Sequence, residues 1–224
     1  MDFETIDVLY RSRQTLLEIQ RKKGYNTKSY DKFGPFEVEK MSAGDKENAL
    51  GMTLIRPVAE GVNAPATCYI EYALPKVKNR LAGYVTRLLT AIEEEDGKGA
   101  ETPFDYTQIE IIILTIESIG DTFHNYAQNA FNSKKLRISF FDARTLVSNP
   151  MDHILVPKHE IVPEAEHAEL LKTYNMKSKV NLPMIKFHED IIGRIIGLVP
   201  GSIVKITRPS PQAGEYIVYR VCVP

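Results

Sequence analysis

The sequence predicts an α/β (α+β) protein of two domains, residues 1–148 and 149–224. Three observations carry that expectation. The isoleucine-dense run "QIEIIILTIES" lies between two helix-patterned stretches, with strand-like runs before and after them, the alternation that builds a sheet covered by helices. After Leu146 the pattern breaks: "VSNPMDHILVPKHEIVP" is polar, interrupted by prolines and unsuited to a core element, which puts the boundary near Asn149. From Gly197 to Pro224, two β-branched runs flank a turn rich in Pro, Ser and Gly, the pattern of a terminal hairpin.

Taken in order, Ile6, Leu9, Tyr10, Leu16 and Leu17 share one helical stripe, so a helix is expected from Phe3 to Lys23, ending at Gly24. "MTLIRPV" and "TCYIEYAL" read as short strands. Pro75 suits the first position of a second helix, along which Val77, Leu81, Tyr84, Leu88 and Ile92 recur until the acidic loop "EEEDGKG". The dense isoleucines of "QIEIIILTIES" read as a strand covered on both faces of a parallel sheet. Asp121 is placed to cap a third helix carrying Phe123, Tyr126, Ala127, Ala130 and Phe131, and "KLRISFF" follows as a strand. In the second domain the pattern predicts a helix from Pro163 to Tyr174, a short element at "LPMI", and helical turns at "EDIIGRIIG" stopped by Gly197. Strands are expected at Ile203–Thr207 and Tyr216–Val223.

Composition excludes more than it selects. The chain has 224 residues, 43% hydrophobic and 25% charged, with a formal net charge of −1, so bulk charge names no partner. Two cysteines without a CxxC pair argue against a zinc ribbon or a disulfide scaffold, and suit a reducing compartment. The charged start predicts no signal peptide, and the Ile109–Ile116 run is too short to span a bilayer. Charge is uneven only locally. Arg11, Arg13, Arg21, Lys22, Lys23, Lys28 and Lys32 face only Glu18 and Asp31 over the same stretch, either a solvated helix face or a surface for phosphate.

Catalytic constellations are not legible. The five histidines are scattered without HExxH spacing, and P-loop, GxGxxG and GxSxG patterns do not occur, so neither metal nor cofactor is expected. A metal-dependent nuclease on a small sheet needs Asp/Glu-x-Lys on a strand, where two carboxylates hold the ion and Lys steadies the phosphate. Asp96-Gly97-Lys98 is the sole match, and it falls in the acidic loop, where the carboxylate is unpositioned. A stand-alone RNA-binding β module would need stacking aromatics and a basic surface. The C-terminal strands offer Tyr216 and Tyr219, and residues 149–224 carry nine Lys/Arg against eight Asp/Glu.

The C-terminal third carries a longer signature: "VPKHEIVP" at 156–163, Leu182, Pro183 and Ile185, then Asp190 with Arg194 and Gly197. It continues through Gly201, Val204–Ile206, Arg208–Ser210, Ala213–Gly214, Tyr216 and Tyr219–Arg220. In this it resembles the fifth-largest subunit shared by eukaryotic nuclear RNA polymerases I, II and III, whose C-terminal half corresponds to the archaeal polymerase H subunit. Arg13, Thr15, Leu16 and Gly24-Tyr25 are similar to that family's opening helix. The resemblance implies a non-catalytic subunit of DNA-directed RNA polymerase. Its N-terminal jaw domain would have a restriction-endonuclease-like fold without the catalytic motif, and a small mixed α/β assembly domain would follow. The implied partners are the largest polymerase subunit and other polymerase subunits, with weak contact to downstream double-stranded DNA inside the complex and none with a membrane. The implied location is the nucleus, or host cytoplasm or virion for a virus-encoded member.

The residues it assigns to the subunit interface are Pro183, Arg194, Gly197, Lys205, Arg208, Ser210, Gly214, Tyr216 and Arg220, and those near DNA are Arg13, Arg21, Lys22, Lys23 and Thr122. The chain departs from the family where a Thr-Pro-x-Ala turn becomes "GDTFHN", where "LPRI" becomes "LPMI" with Met184, and where the hairpin turn reads "SPQAG". The rival expectation is a degenerate nuclease-fold protein that binds nucleic acid outside a polymerase. Physically, a stiff, Pro-flanked turn loses little entropy on docking, Arg208 and Arg220 offer bidentate forks, and an open strand edge invites pairing with another chain.

Overall fold

Asp2 opens the first helix, α1 (Phe3–Lys22), its carboxylate accepting from the Thr5 N–H at 3.2 Å. The helix stops at Lys22, with Lys23 as its cap, and Gly24 takes φ +91°, a left-handed position that costs glycine little. The computed structural model describes residues 2–43, 49–57, 65–74, 76–96 and 104–224. These fall into two compact units, Met1–Ser148 and Asn149–Pro224.

In the first unit α1 buries Ile6, Leu9, Leu16 and Leu17, while Tyr10 on the expected stripe is only half-buried. A second helix, α2 (Pro35–Ala43), was not legible from its apolar pattern because it buries only Val38. Its signals are local: a proline at the first position, and Glu37 two residues later, whose Oε2 accepts from the Gly34 N–H at 3.0 Å. The strands β1 (Met52–Ile55) and β2 (Thr67–Ala73) pair antiparallel. Next come α3 (Leu81–Asp96), β3 (Ile109–Thr115), α4 (Asp121–Lys134) and β4 (Arg137–Asp142). The sheet order is β1-β2-β3-β4, with β2, β3 and β4 mutually parallel and every residue of β3 buried, Glu110 included, as in a strand covered on both faces.

Two helix starts differ from expectation. Pro75 lies outside the described residues, and α3 begins only at Leu81, after a 3-10 turn over Lys78–Arg80. The Glu117 carboxylate accepts from the Val77 and Lys78 N–H groups, so a side chain just past β3 satisfies this helix entrance from a distance. Asp121 is not the cap of α4. Gly120 occupies that place in an extended conformation, and Asp121 sits inside the first turn, where a carboxylate is favoured by the helix dipole. Phe123, from α4, packs on Phe140 of β4 at a centroid distance of 5.2 Å, and Tyr126 meets the same ring at 6.3 Å.

The second unit holds β5 (Lys158–Val162), α5 (His167–Thr173), β6 (Met184–Lys186), α6 (Ile191–Ile196), β7 (Ile203–Ser210) and β8 (Gly214–Val223). Its sheet order is β5-β7-β8-β6, with β6 parallel to β8 and the other pairs antiparallel. The helix expected from Pro163 divides into a 3-10 turn, Glu164–Glu166, and then α5. Asp190 caps α6 by accepting from the Gly193 N–H at 2.8 Å, and Gly197 ends it at φ +77°. One face of the sheet buries Ile185, Leu198, Val204, Ile206 and Cys222, and a second cluster joins Val162, Leu182, Ile203 and Val221. Antiparallel partners point to the same face, so the register assigns these clusters to opposite faces.

Both thiols are buried and unpaired. Burial first, and then the nearby Glu110 carboxylate, pushes Cys68 well above the ordinary thiol range, and burial pushes Cys222 up to about 12. The thiolate is the reactive form. Native protein at pH 8 should therefore resist iodoacetamide at both positions and be alkylated in urea; rapid labelling of native Cys68, read by mass spectrometry, would contradict this burial.

Candidate functional site

The terminal hairpin is longer than the sequence pattern suggests. β7 runs to Ser210 and β8 starts at Gly214, so Arg208 and Pro209 are strand residues rather than turn residues. The cross-strand pairs Arg208↔Tyr216, Pro209↔Glu215 and Ser210↔Gly214 carry the ladder up to a turn of residues 211–213. β5 ends its pairing at Lys158↔Thr207, and β6 pairs only Val221, Cys222 and Val223 of β8. Beyond those points the hairpin tip is a two-stranded ribbon with both outer edges open among the described residues, a position where Pro209 is tolerated.

Register sorts the expected interface residues. Arg208, Tyr216, Ser210, Gly214 and Arg220 stand on the face that farther down buries Val204 and Ile206, while Lys205, opposite Tyr219, points to the other face. Several have local reasons to be what they are. Ser210 Oγ accepts from the Ala213 N–H at 3.3 Å, and Gly214 takes φ +75°. The Pro183 carbonyl accepts from the Val221 N–H at 2.9 Å, fixing the approach to β6. Arg220 Nη1 donates to the Met184 carbonyl at 3.1 Å. Arg194 is half-buried in α6; desolvation lowers its pKa to about 10 against the opposing pull of Asp190. Arg208 differs: it is exposed, with no ion pair or side-chain hydrogen bond among the described residues. Tyr216, beside it, is 59% exposed.

Two exposed residues escaped the sequence reading. Ile154 and Leu155, just before β5, are 93% and 82% exposed. Their signal was present as an apolar pair inside a proline-broken polar stretch, with no periodicity to tie it to a core.

The basic run near the N-terminus does not form one cationic face. Arg13 turns inward and is 1% exposed, its Nη1 donating to the Leu50 carbonyl at 2.7 Å, so its assignment beside DNA is corrected. The side chain of Lys23 is only 19% exposed; its Nζ reaches Glu110 Oε1 on the core strand β3 at 3.3 Å, which draws it inside the unit as well. Arg21 pairs with Asp31 at 2.7 Å and Lys22 with Glu18 at 2.8 Å, both still largely exposed. Thr122 is exposed in the first turn of α4. Of the Asp96-Gly97-Lys98 match, Asp96 ends α3 and the other two lie outside the described residues. Among the described residues no three His, Cys, Asp or Glu side chains are grouped to hold a metal ion. No described helix is long and apolar enough to cross a membrane.

Comparison with known proteins supplies a context for the hairpin. Residues 148–222 match the family described as RNA polymerase Rpb5, C-terminal domain. The chain is 49% identical over 72 residues to the DNA-directed RNA polymerase subunit Rpo5 of Methanocaldococcus jannaschii, covering 32% of this chain and 90% of that protein. It is 44% identical over 90 residues to the DNA-directed RNA polymerases I, II, and III subunit rpabc1 of Dictyostelium discoideum, covering 40% of this chain and 45% of that one. The Caenorhabditis elegans subunit RPABC1 is 38% identical over 107 residues, covering 48% and 45%. The matches thus span under half the length of these eukaryotic relatives and nearly all of the archaeal one.

Proposed function

Because the chain belongs to the Rpb5/Rpo5 family of RNA polymerase subunits, we propose that it is a non-catalytic subunit of DNA-directed RNA polymerase, assembling on the largest subunit through its C-terminal unit. The hairpin tip carries this reading: Arg208 and Tyr216 stand side by side, exposed, on a ribbon whose outer edges have no described neighbour. A guanidinium and an aromatic ring are the side chains most enriched where binding energy concentrates, and open edges accept main-chain hydrogen bonds. Met1–Ser148 serves as the jaw, with a restriction-endonuclease-like ancestry, beside downstream duplex DNA in the nucleus. Affinity capture of the full chain tests the assignment. Polymerase subunits should co-purify in stoichiometric amounts, and a capture that contains none of them would sink it.

Within that assembly the jaw touches DNA weakly, because burial and ion pairing withdraw Arg13 and Lys23 and leave Arg21 and Lys22 as the accessible members of the expected set. Reversing both exposed charges should flatten the dependence of log affinity for downstream DNA on log salt, by about 0.9 for each phosphate no longer neutralised. An unchanged slope would make these residues a solvated helix face. Lys23→Glu belongs to a different experiment: it sets a second carboxylate against buried Glu110 and should lower the melting temperature of the free protein.

A further inference from the structure

Among the described residues Arg13 makes one hydrogen bond, from Nη1 to the Leu50 carbonyl, and its buried Nε and Nη2 have no partner. Those two nitrogens share one edge of the guanidinium plane, so the unused donors form a single two-pronged fork of the kind that grips anions. The Tyr30 and Phe33 rings lie 5.7 and 5.5 Å from the guanidinium carbon, and they contribute cation–π attraction without accepting a hydrogen bond in the fork. The Tyr72 hydroxyl is also buried and unpartnered, and Tyr72 and Arg13 perturb each other's ionisation. Ser12 is near enough to act on Tyr72, yet no hydrogen bond of ordinary geometry closes between them, and Ser12 Oγ donates to the Leu9 carbonyl at 3.0 Å.

An arginine does not shed its proton in a protein, so this charge stays in the interior. No carboxylate among the described residues pairs with it, and a buried charge left uncompensated is strongly unfavourable. Water would satisfy the donors but leave the charge. A dianionic phosphate would over-compensate it and bury a net negative charge. A monoanion of halide size meets both demands.

We propose that the Nε/Nη2 fork of Arg13 is a buried binding site for a small monovalent anion, chloride in solution. The site stands apart from the polymerase reading and survives if that reading fails.

Bromide is the probe. The full chain crystallised with sodium bromide should show an anomalous scattering peak within hydrogen-bonding reach of both fork nitrogens. In solution, replacing gluconate by bromide at constant ionic strength, at ten times the dissociation constant, should raise the melting midpoint of the unit by about 3–6 °C. Arg13→Lys keeps the charge and removes the fork, and it should abolish the halide-specific shift. A peak without anomalous signal, meaning water in the fork, would overturn the proposal, and so would a melting midpoint indifferent to halide. If Arg13→Lys fails to fold, the anomalous map of the unsubstituted protein still decides.

Discussion

On the proposed reading, in which Arg208 docks on the largest polymerase subunit, replacing it with glutamate is expected to weaken that binding by about 2–5 kcal/mol if the charge pair it breaks is buried, because the partner charge is then left unpaired. The free protein should be almost unaffected. Arg208 is exposed and makes no ion pair or side-chain hydrogen bond among the described residues, and its strand is held by the ladder to β8 and by the apolar clusters nearer the base of the sheet. Binding by the assembled subunit and melting temperature of the free chain should therefore separate cleanly. If the variant binds like the parent, the docking contact is elsewhere, and the exposed pair Ile154 and Leu155 is the next place to substitute.

Phe140→Ala is expected to cost about 3–5 kcal/mol of stability, the range for removing a fully buried phenylalanine. Phe140 is fully buried on β4, with Phe123 and Tyr126 of α4 against its ring, so its loss opens a cavity between helix and sheet. Urea unfolding of the full chain checks this through the transition of the N-terminal unit. Phe140→Leu should lose less, and a loss below about 1 kcal/mol for the alanine variant would mean that the aromatic cluster is not the core it looks to be.

Much of the fold was legible because its signals are periodic and local. The dense isoleucines of β3 mark a covered strand, and the stripe of α1 and the Asp190–Gly197 bracket around α6 mark helices by spacing and caps. What escaped depends on partners distant in sequence. α2 buries a single side chain, so it has almost no stripe to read. The entrance to α3 is satisfied by Glu117, which no local pattern around residue 77 reveals. The hairpin extends through Arg208 and Pro209 because β8 runs alongside as far as Gly214, and cross-strand pairing overrides the turn-forming tendency of proline at an open edge.

The candidate site divides the same way. The ordered series from "VPKHEIVP" to Tyr219–Arg220 was enough to recognise the polymerase-subunit family, because so many residue types at set spacings do not recur by chance in an unrelated chain. Sequence also showed that Arg11 to Lys32 is rich in cations. Which of those cations reach solvent was decided only in three dimensions. Charge is a property of the residue, but exposure is set by what packs against it. Arg13 is drawn inward to the Leu50 carbonyl and Lys23 to Glu110 on β3, whereas Arg21 and Lys22 remain at the surface with Asp31 and Glu18.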